Sequence, residues 1–433
     1  MPDLDLLINC KEEFDLNSAV YQKMQDYYDG NGKTDAMVNY KMITSRANNK
    51  IPKNMVQKFI LEEVSYCVAN GVNYSSHSND KDIIDDIRLN ITKSWSEKFE
   101  DELLKQALIF SEAYELIFVD KDAQFKALIL NPLNSYVLKD EFGDVQLFIR
   151  FFQKKFEPEV QYADVYEGNL IYHYTIYGGS FTQYGNVDTH IFSKVPVGVC
   201  SIGSIYESIY GNIKGQQDGY EQVSSDYVNE IADARNAILL TVGASLEEGA
   251  EDDIKTKAVM ELPTGGDAKW LIKQFSDSFI QNALNTLNEN MYSLANHIDH
   301  NAKLSSNTSS LAQKNKLMGL SSKCANNIHA MQDCIKVRLQ FLFEFLKIKQ
   351  SKIYSYLDID ISMTPAIPTD DLMVSQILSQ NPKIPTETGF SLYSFVTDID
   401  KTMALYEEEN KANSVGADLL NNNDANSADG GVE

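Results

Sequence analysis

Paired cysteines are the first thing missing. The 433-residue chain has five cysteines, at positions 10, 67, 200, 324 and 334, and no two stand at a metal-knuckle or redox spacing. The odd number fits no disulfide framework, so a reducing, intracellular setting is the simplest expectation. No apolar run approaches the ~20 residues of a membrane span. The opening MPDLDLLINCKEEFDL has no basic n-region and no long apolar core, which argues against a secretory signal, and the chain reads as soluble. Positive charge is scarce: 38 Lys and Arg against 62 Asp and Glu give a net charge of −24. That argues against a simple basic DNA-binding domain. It also predicts repulsion between copies unless large interfaces offset it.

Catalytic signatures are missing too. The stretch DYYDGNGKTD, residues 26–35, ends like a phosphate-binding loop, but that pattern needs glycine five positions before Gly32, where Tyr27 stands. A helix rather than a strand precedes it, so a helix-terminating turn explains its glycines. HIDH at 297–300 sets His297 and His300 on one helix face beside Asp299, without an obvious third ligand; a polar helix end is the better reading than a metal site. No G-x-S-x-G elbow occurs, and the carboxylates sit mainly on amphipathic helices. Neither an enzymatic activity nor a cofactor is expected.

What is present is an ordinary globular composition, 43% hydrophobic, long enough for two or three domains. Helical spacing is read over 17–29, 52–69, 81–92 and 96–111. From Ala113 the segments AYELIFVD, FKALIL, SYVLKD, VQLFIRFF, VQYADVYEG and LIYHYTIYGG predict an antiparallel β-meander. The fold class is therefore α+β. Further on, Tyr220, Val223, Tyr227, Ile231, Ala234 and Ile238 form a narrow apolar seam on a helix of about six turns. A second helix, with Ser278 and Gln281 at capping-box spacing, carries Phe279, Ala283, Leu287, Met291, Leu294 and Ile298. Between them lies a small charged insert with possible strands at 258–262 and 268–272. A polar loop spans 299–310. A long helix runs from Leu311 to Lys349, with a kink or break expected at Gly319 or at 324–327. A strand near 360, modest helices at 370–380 and 388–410, and a disordered tail complete the expected order.

One charge anomaly stands out. Between Asn301 and Ile353 are nine basic residues, Lys303, Lys314, Lys316, Lys323, Lys336, Arg338, Lys347, Lys349 and Lys352, opposed by Asp333 and Glu344 alone. Two readings stay open: a basic face pairing with acidic neighbours within the fold or oligomer, or a local contact to a polyanion.

The order of these parts resembles the portal proteins of tailed bacteriophages, the type found in long-tailed phages of Gram-positive hosts. The likeness rests on YYDG at 27–30, VNYKMITSRANNKIP at 38–52, SEAYELIFVD at 111–120, KVPVG at 194–198, YVNEIADARNAILLTVG at 227–243, SSNTSSLAQKNKLMGLSSKCANN at 305–327 and PTDDLMVSQIL followed by KIPTETGFSLYSFVTDID. It spans residues 20–410. The family often has glycine where Ser111 stands, and an asparagine-containing segment where this chain has GVCSIG.

The resemblance implies a ring, typically of twelve subunits, at one capsid vertex, through which double-stranded DNA is packaged and ejected. It implies a wing (1–214 and 311–369), two stem helices (215–245 and 276–298), a clip (246–275), a tunnel loop (299–310) and a reduced crown with a disordered tail (370–433). Stem packing then falls to Tyr220, Val223, Tyr227, Ile231, Ile238, Ala283, Leu287, Met291 and Leu294. The clip interface falls to Glu247, Glu248, Asp252, Asp253, Lys269 and Trp270. Asn301, Lys303, Ser305, Ser306, Asn307 and Thr308 would face DNA. Implied partners are other copies of the chain, terminase, major capsid and scaffolding proteins and a head-completion or neck adaptor, with no membrane. The alternatives are an intracellular oligomeric scaffold that binds no DNA and, against the absent phosphate loop, a nucleotide-dependent remodelling factor.

Overall fold

The computed structural model describes residues 2–41, 48–234, 238–242, 264–271, 277–299, 310–365, 371–381, 383–393, 396, 399 and 401–411. Its first half holds helices α1 (Leu4–Asp29), α2 (Asp35–Asn39), α3 (Met55–Val68), α4 (Lys81–Ile87) and α5 (Phe99–Phe110), with strand β1 (Asn73–Ser76) between α3 and α4. Strands β2 (Glu112–Val119), β3 (Phe125–Leu130), β4 (Ser135–Lys139), β5 (Val145–Lys154), β6 (Glu157–Glu167), β7 (Leu170–Tyr177), β8 (Ser180–Gln183), β9 (Asp188–Thr189) and β10 (Val197–Ser201) follow. Helix α6 (Ile209–Ala234), strands β11 (Ile238–Val242) and β12 (Asp267–Leu271), α7 (Asp277–Ala295), α8 (Ser310–Gln350), β13 (Ile359–Ser362), α9 (Asp371–Gln380) and α10 (Thr386–Ser391) complete the order, and residues 401–411 are helical.

The α+β class holds, with all strand pairings antiparallel. The expected single meander is instead divided. Strands β2 and β3 join β10 in a three-stranded sheet of order β10-β2-β3, while β4 to β8, with β9 beside β7, make a second sheet. The division falls at the Asn131–Asn134 turn, where the Asn131 and Asn134 side chains take up backbone N–H groups and end the pairing. Leu130, Phe148, Val195 and Val197 pack between the two sheets.

α1 starts at Leu4, well before the expected Asn17, capped by Asp3 accepting from the Asp5 N–H. Its early turns place Leu7, Cys10 and Phe14 against Leu147, Ile149 and Phe151 of the second sheet. The main core is built by α3, α5 and α8 around Phe59, Phe110, Met331, Leu339 and Leu342. α8 is a single helix of 41 residues, unbroken through Gly319 and residues 324–327. The expected interruption is absent because Cys324, Ile328, Met331 and Ile335 continue one buried stripe through that region.

Helix α5 ends at Ser111, which sits at φ 70° in the left-handed region. That is the conformation glycine adopts without strain, at the position where the family resemblance expects glycine. α4 runs on into a π-turn, Arg88–Thr92, so the expected helix at 81–92 is two segments. The segment 258–262, the tail from 412 and the polar loop at 301–309 lie outside the described residues.

Candidate functional site

The two seam helices, α6 and α7, run antiparallel. Gln216 stands within reach of Asn290, and Gly219 lies under the Leu287 side chain, so positions rise along one helix as they fall along the other. α6 ends at Ala234. Ile238, expected on the seam, is instead the first residue of β11, paired with Leu271 of β12. The run Ile238-Leu239-Leu240-Thr241-Val242 is aliphatic and β-branched at its ends, a strand composition that outweighed the helical spacing. The rod expected over 215–245 is thus shorter, and the expected strand at 268–272 pairs with 238–242. α7 begins at Asp277, which puts Ser278 inside its first turn rather than at its cap.

The first turns of α6 bury Ile209, Tyr210 and Ile213 in the main core, but from Gln217 onward the face it buries is polar. Gln217, Glu221, Ser225 and Asn229, four residues apart, are all essentially inaccessible. They meet the non-helical backbone of residues 49–53 and the first turn of α3. The Asn49 N–H donates to Asn229 Oδ1 at 2.7 Å and Asn229 Nδ2 returns a bond to the Asn49 carbonyl at 2.8 Å. The Ile51 N–H donates to Ser225 Oγ at 3.0 Å, and the Lys53 N–H to Glu221 Oε1 at 2.8 Å. The Val56 N–H, at the start of α3, donates to Gln217 Oε1 at 3.3 Å. Extended chain advances about 6.6 Å per two residues and helix about 6.0 Å per four, so positions 49, 51 and 53 keep step with 229, 225 and 221. Pro52, which has no N–H, falls between the bonded positions.

The glycine-rich stretch from the chain's start completes this face. Gly30, at φ 64°, ends α1, and a Cβ there would strike the Asn54 side chain. Thr34 then caps α2 and donates its hydroxyl to Glu221 Oε2. Tyr27 donates to Asp218 Oδ1 at 2.6 Å, and Lys214 bridges Asp218 at 2.9 Å and Asp35 at 2.8 Å. Burial raises the Glu221 carboxyl above its ordinary value, against the opposing bonds from Thr34 and Lys53. The bond from Lys214 holds Asp35 low, against burial. The turn is therefore a docking element for α6.

The predicted seam lies on the other side. Tyr220, Val223 and Tyr227 are half-buried, and Ile231 is 40% exposed. On α7, Met291 is fully buried and Ala283 and Leu287 half-buried, whereas Phe279 is 73% and Leu294 47% exposed. One chain leaves much of this apolar stripe uncovered. At the insert, Lys269 pairs with Asp267 at 3.1 Å on the surface, and Trp270 stands opposite Leu239. Glu247, Glu248, Asp252 and Asp253 lie outside the described residues, as do Asn301, Lys303, Ser305, Ser306, Asn307 and Thr308.

Just beyond α7, His297 is enclosed between two carboxylates, with Nδ1 2.9 Å from Glu62 Oε2 and Nε2 3.0 Å from Glu63 Oε1, and its ring stacks on Phe59. Glu63 also meets Lys323 at 2.5 Å and Asn327 at 2.8 Å, both on α8. Burial alone would lower the His297 pKa, but the bonds to Glu62 and Glu63 hold it above its ordinary value. This ties the chain just past α7 to α3 and α8; HIDH begins beyond the helix rather than on one of its faces, and His300 lies outside the described residues. Among the described residues no group of three or more His, Cys, Asp and Glu side chains is placed to hold a metal, and no helix is long and apolar enough to cross a membrane.

Part of the basic excess on and just after α8 is paired within the chain, while Lys347 and Lys349 are exposed and Lys349 donates to the Ala123 carbonyl. Lys323 is held by Glu63, Lys336 by Asp333, Arg338 by Glu100 and Glu115, and Lys352 by Asp86. Sequence reasoning missed the Gln217-Glu221-Ser225-Asn229 column; its signal was a polar residue at every fourth position of an otherwise seam-bearing helix.

Residues 8–415 match the family model for phage portal proteins of the SPP1 Gp6-like type. The chain belongs to this family. The portal family is one of structural proteins. Comparison with curated protein sequences finds no match. Among solved structures, the chain is similar to one in the neck of an empty gene transfer agent particle computed with C6 symmetry, at 12% identity and a TM-score of 0.48, covering 78% of this chain and 88% of that one. It is also similar to a chain of the virion of a native gene transfer agent particle, at 12% identity and a TM-score of 0.44, covering 76% and 85%.

Proposed function

We propose that the chain assembles as a ring at a capsid vertex and forms the channel through which double-stranded DNA enters and leaves, with α6 and α7 as the stem. Membership of the portal family supports the setting. The observation that carries the ring is the uncovered apolar stripe: Ile231, Phe279 and Leu294 are 40%, 73% and 47% exposed in a chain of net charge −24. Side-by-side packing of α6–α7 pairs covers that stripe and offsets the repulsion between copies. In this reading 246–275, which contains β12 and follows β11, is the clip that meets terminase and later a neck adaptor. Residues 299–310 form a loop facing DNA, with Lys303 as its one basic residue. Sparse positive charge suits sliding, because each phosphate neutralised by Lys or Arg adds counterion-release affinity. Capsid and scaffolding proteins would meet the wing, and twelve copies is the number the family resemblance implies.

Electron microscopy of the purified protein is the test. The proposal expects rings with a bore wide enough for a DNA duplex, and none from a variant carrying Ile231→Asp and Phe279→Asp that keeps wild-type circular dichroism. Closed bundles or monomers from the unmodified protein favour the scaffold reading; intact rings from the double variant remove the seam from the interface.

A further inference from the structure

A cavity of about 150 Å³ opens between α1, the start of β2 and β4, far in sequence from the α6–α7 pair. Its walls are the rings of Phe14, Tyr21, Tyr114 and Tyr136, with Glu13 and Glu112 beside them and no lysine, arginine or histidine in the lining. The placement follows from local periodicity. Glu13, Asn17 and Tyr21 recur every four residues on one face of α1, and Glu112 and Tyr114 alternate onto one side of β2.

Each carboxylate already accepts a phenol, and Glu112 is hydrogen-bonded by Tyr21 as well. The Tyr114 hydroxyl donates to Glu112 Oε1 at 2.6 Å and the Tyr136 hydroxyl to Glu13 Oε2 at 2.8 Å. These bonds orient the carboxylates without neutralising them. Among the described residues neither has a basic partner within ion-pair distance; Lys11, the nearest lysine in sequence, is held by Asp15. The tyrosines register the resulting field. Burial and the neighbouring Glu112 and Glu13 push the Tyr21 hydroxyl up to about 12, and burial and Glu112 raise Tyr114 well above its ordinary value.

Two carboxylates without a basic partner, beside the half-buried rings of Tyr21 and Tyr136, make a receptor for an organic cation, since aromatic rings and carboxylates both attract positive charge. A calcium ion is a poor match. It takes six to eight oxygen ligands, and the tyrosine hydroxyls here are turned to the glutamates as donors. The mouth lies at exposed Glu13 and Asn17, beside Leu16 and Val20, which are 78% and 38% exposed. That apolar rim suits a polypeptide more than a free amine.

We propose that this cavity receives the ammonium or guanidinium head of a lysine or arginine side chain presented by a partner protein, another copy of this chain included. The inference does not depend on the channel reading.

Binding of Nα-acetyl-lysine methylamide to the full-length protein, followed by tyrosine NMR signals and calorimetry, tests the chemistry. One saturable site in roughly the millimolar range is expected, with no saturation by the norleucine analogue. Replacement by near-isosteric Glu13→Gln with Glu112→Gln should weaken it about tenfold or more, and Asn17→Arg, which sets a cation at the mouth, should block it. No saturation by the lysine probe, equal binding of the norleucine probe, or unchanged binding in both variants overturns the proposal. For the source of the cation, a benzophenone amino acid is placed at Asn17 in assembled particles. A cross-link to a lysine- or arginine-bearing segment of another polypeptide supports a partner side chain. The absence of any such cross-link, with spermidine bound as tightly as the lysine probe, overturns it in favour of a free polyamine.

Discussion

α8 buries Ile328, Met331, Ile335, Leu339 and Leu342, while α6 buries Gln217, Glu221, Ser225 and Asn229 and leaves Ile231 40% exposed. Both are long helices of one chain, and beyond the first turns of α6, where Ile209, Tyr210 and Ile213 join the core, they face inward with opposite chemistry. Full burial of each apolar side chain on α8 contributes about 1.5–3 kcal/mol, which makes that helix a source of stability. A hydrogen bond to α6 contributes nearer 1 kcal/mol net, so the polar column fixes position more than it stabilises. The apolar surface that α6 would ordinarily bury is thereby left for something outside the chain. Where a helix has polar groups on its inward face and apolar ones outward, the difference marks an element of assembly.

Three perturbations break or sharpen that contrast, the strongest first. α8 has a charged exception, Arg338, fully buried, donating to Glu115 Oε1 at 2.6 Å and to both Glu100 oxygens, and lying over the Trp95 ring at 5.0 Å. Arg338→Met strands the fully buried Glu115 and leaves the partly exposed Glu100 unpaired, and should cost about 3–5 kcal/mol in chemical denaturation, where removal of one buried partner is expected to fall. Adding Glu100→Gln and Glu115→Gln should recover part of that loss; no recovery would show that packing, not charge, sets the effect.

Glu221→Leu tests the polar column. It leaves the Thr34 hydroxyl and the Lys53 N–H without their acceptor, a loss of about 1–3 kcal/mol, with Glu221→Gln retaining most of the stability. If leucine proves neutral or stabilising, the column is not what docks α6, and the contrast with α8 fails.

The smallest effect expected is at His297. Its pKa is raised in the folded chain above the ordinary 6.5, because the bonds to Glu62 and Glu63 outweigh burial, so its stabilisation is complete below about pH 6.5 and is lost as pH rises through the folded value. Glu63 is held below its ordinary 4.5, burial notwithstanding, by His297 and Lys323, so its share is present above that value and fades as pH falls through the folded one. The melting-temperature gap between the parent chain and His297→Gln should therefore be widest near pH 6 and narrow by about pH 9. A gap that stays constant with pH would mean the imidazole acts there by shape alone.

The sequence made some of this legible and hid the rest for definable reasons. Periodicity located α3, α5, α6, α7 and α8, because each carries apolar residues at helical spacing over several turns. It missed the first turns of α1, where Leu7, Cys10 and Phe14 have that spacing but stand among Asp5, Glu12, Glu13 and Asp15. It did not find the face that α6 buries within the chain, because burial of Gln217 and Glu221 depends on backbone N–H groups some 160 residues away in the chain, and nothing local announces an extended partner. It carried the helix past Ala234 to Ile238 because a spacing of four suits a helix even where the residue, like Ile238, belongs to a strand. The pairing of β10 with β2, across the whole second sheet, was likewise beyond local pattern.

The two-for-four match between residues 49–53 and α6 behaves like the teeth of a rack. Sliding the strand by one residue would bring Pro52 against Glu221, where no N–H exists to donate, and would at the same stroke unseat Asn49 and Ile51 from Asn229 and Ser225. No half-step is available. The segment either sits in its notches or lets go of the rod entirely.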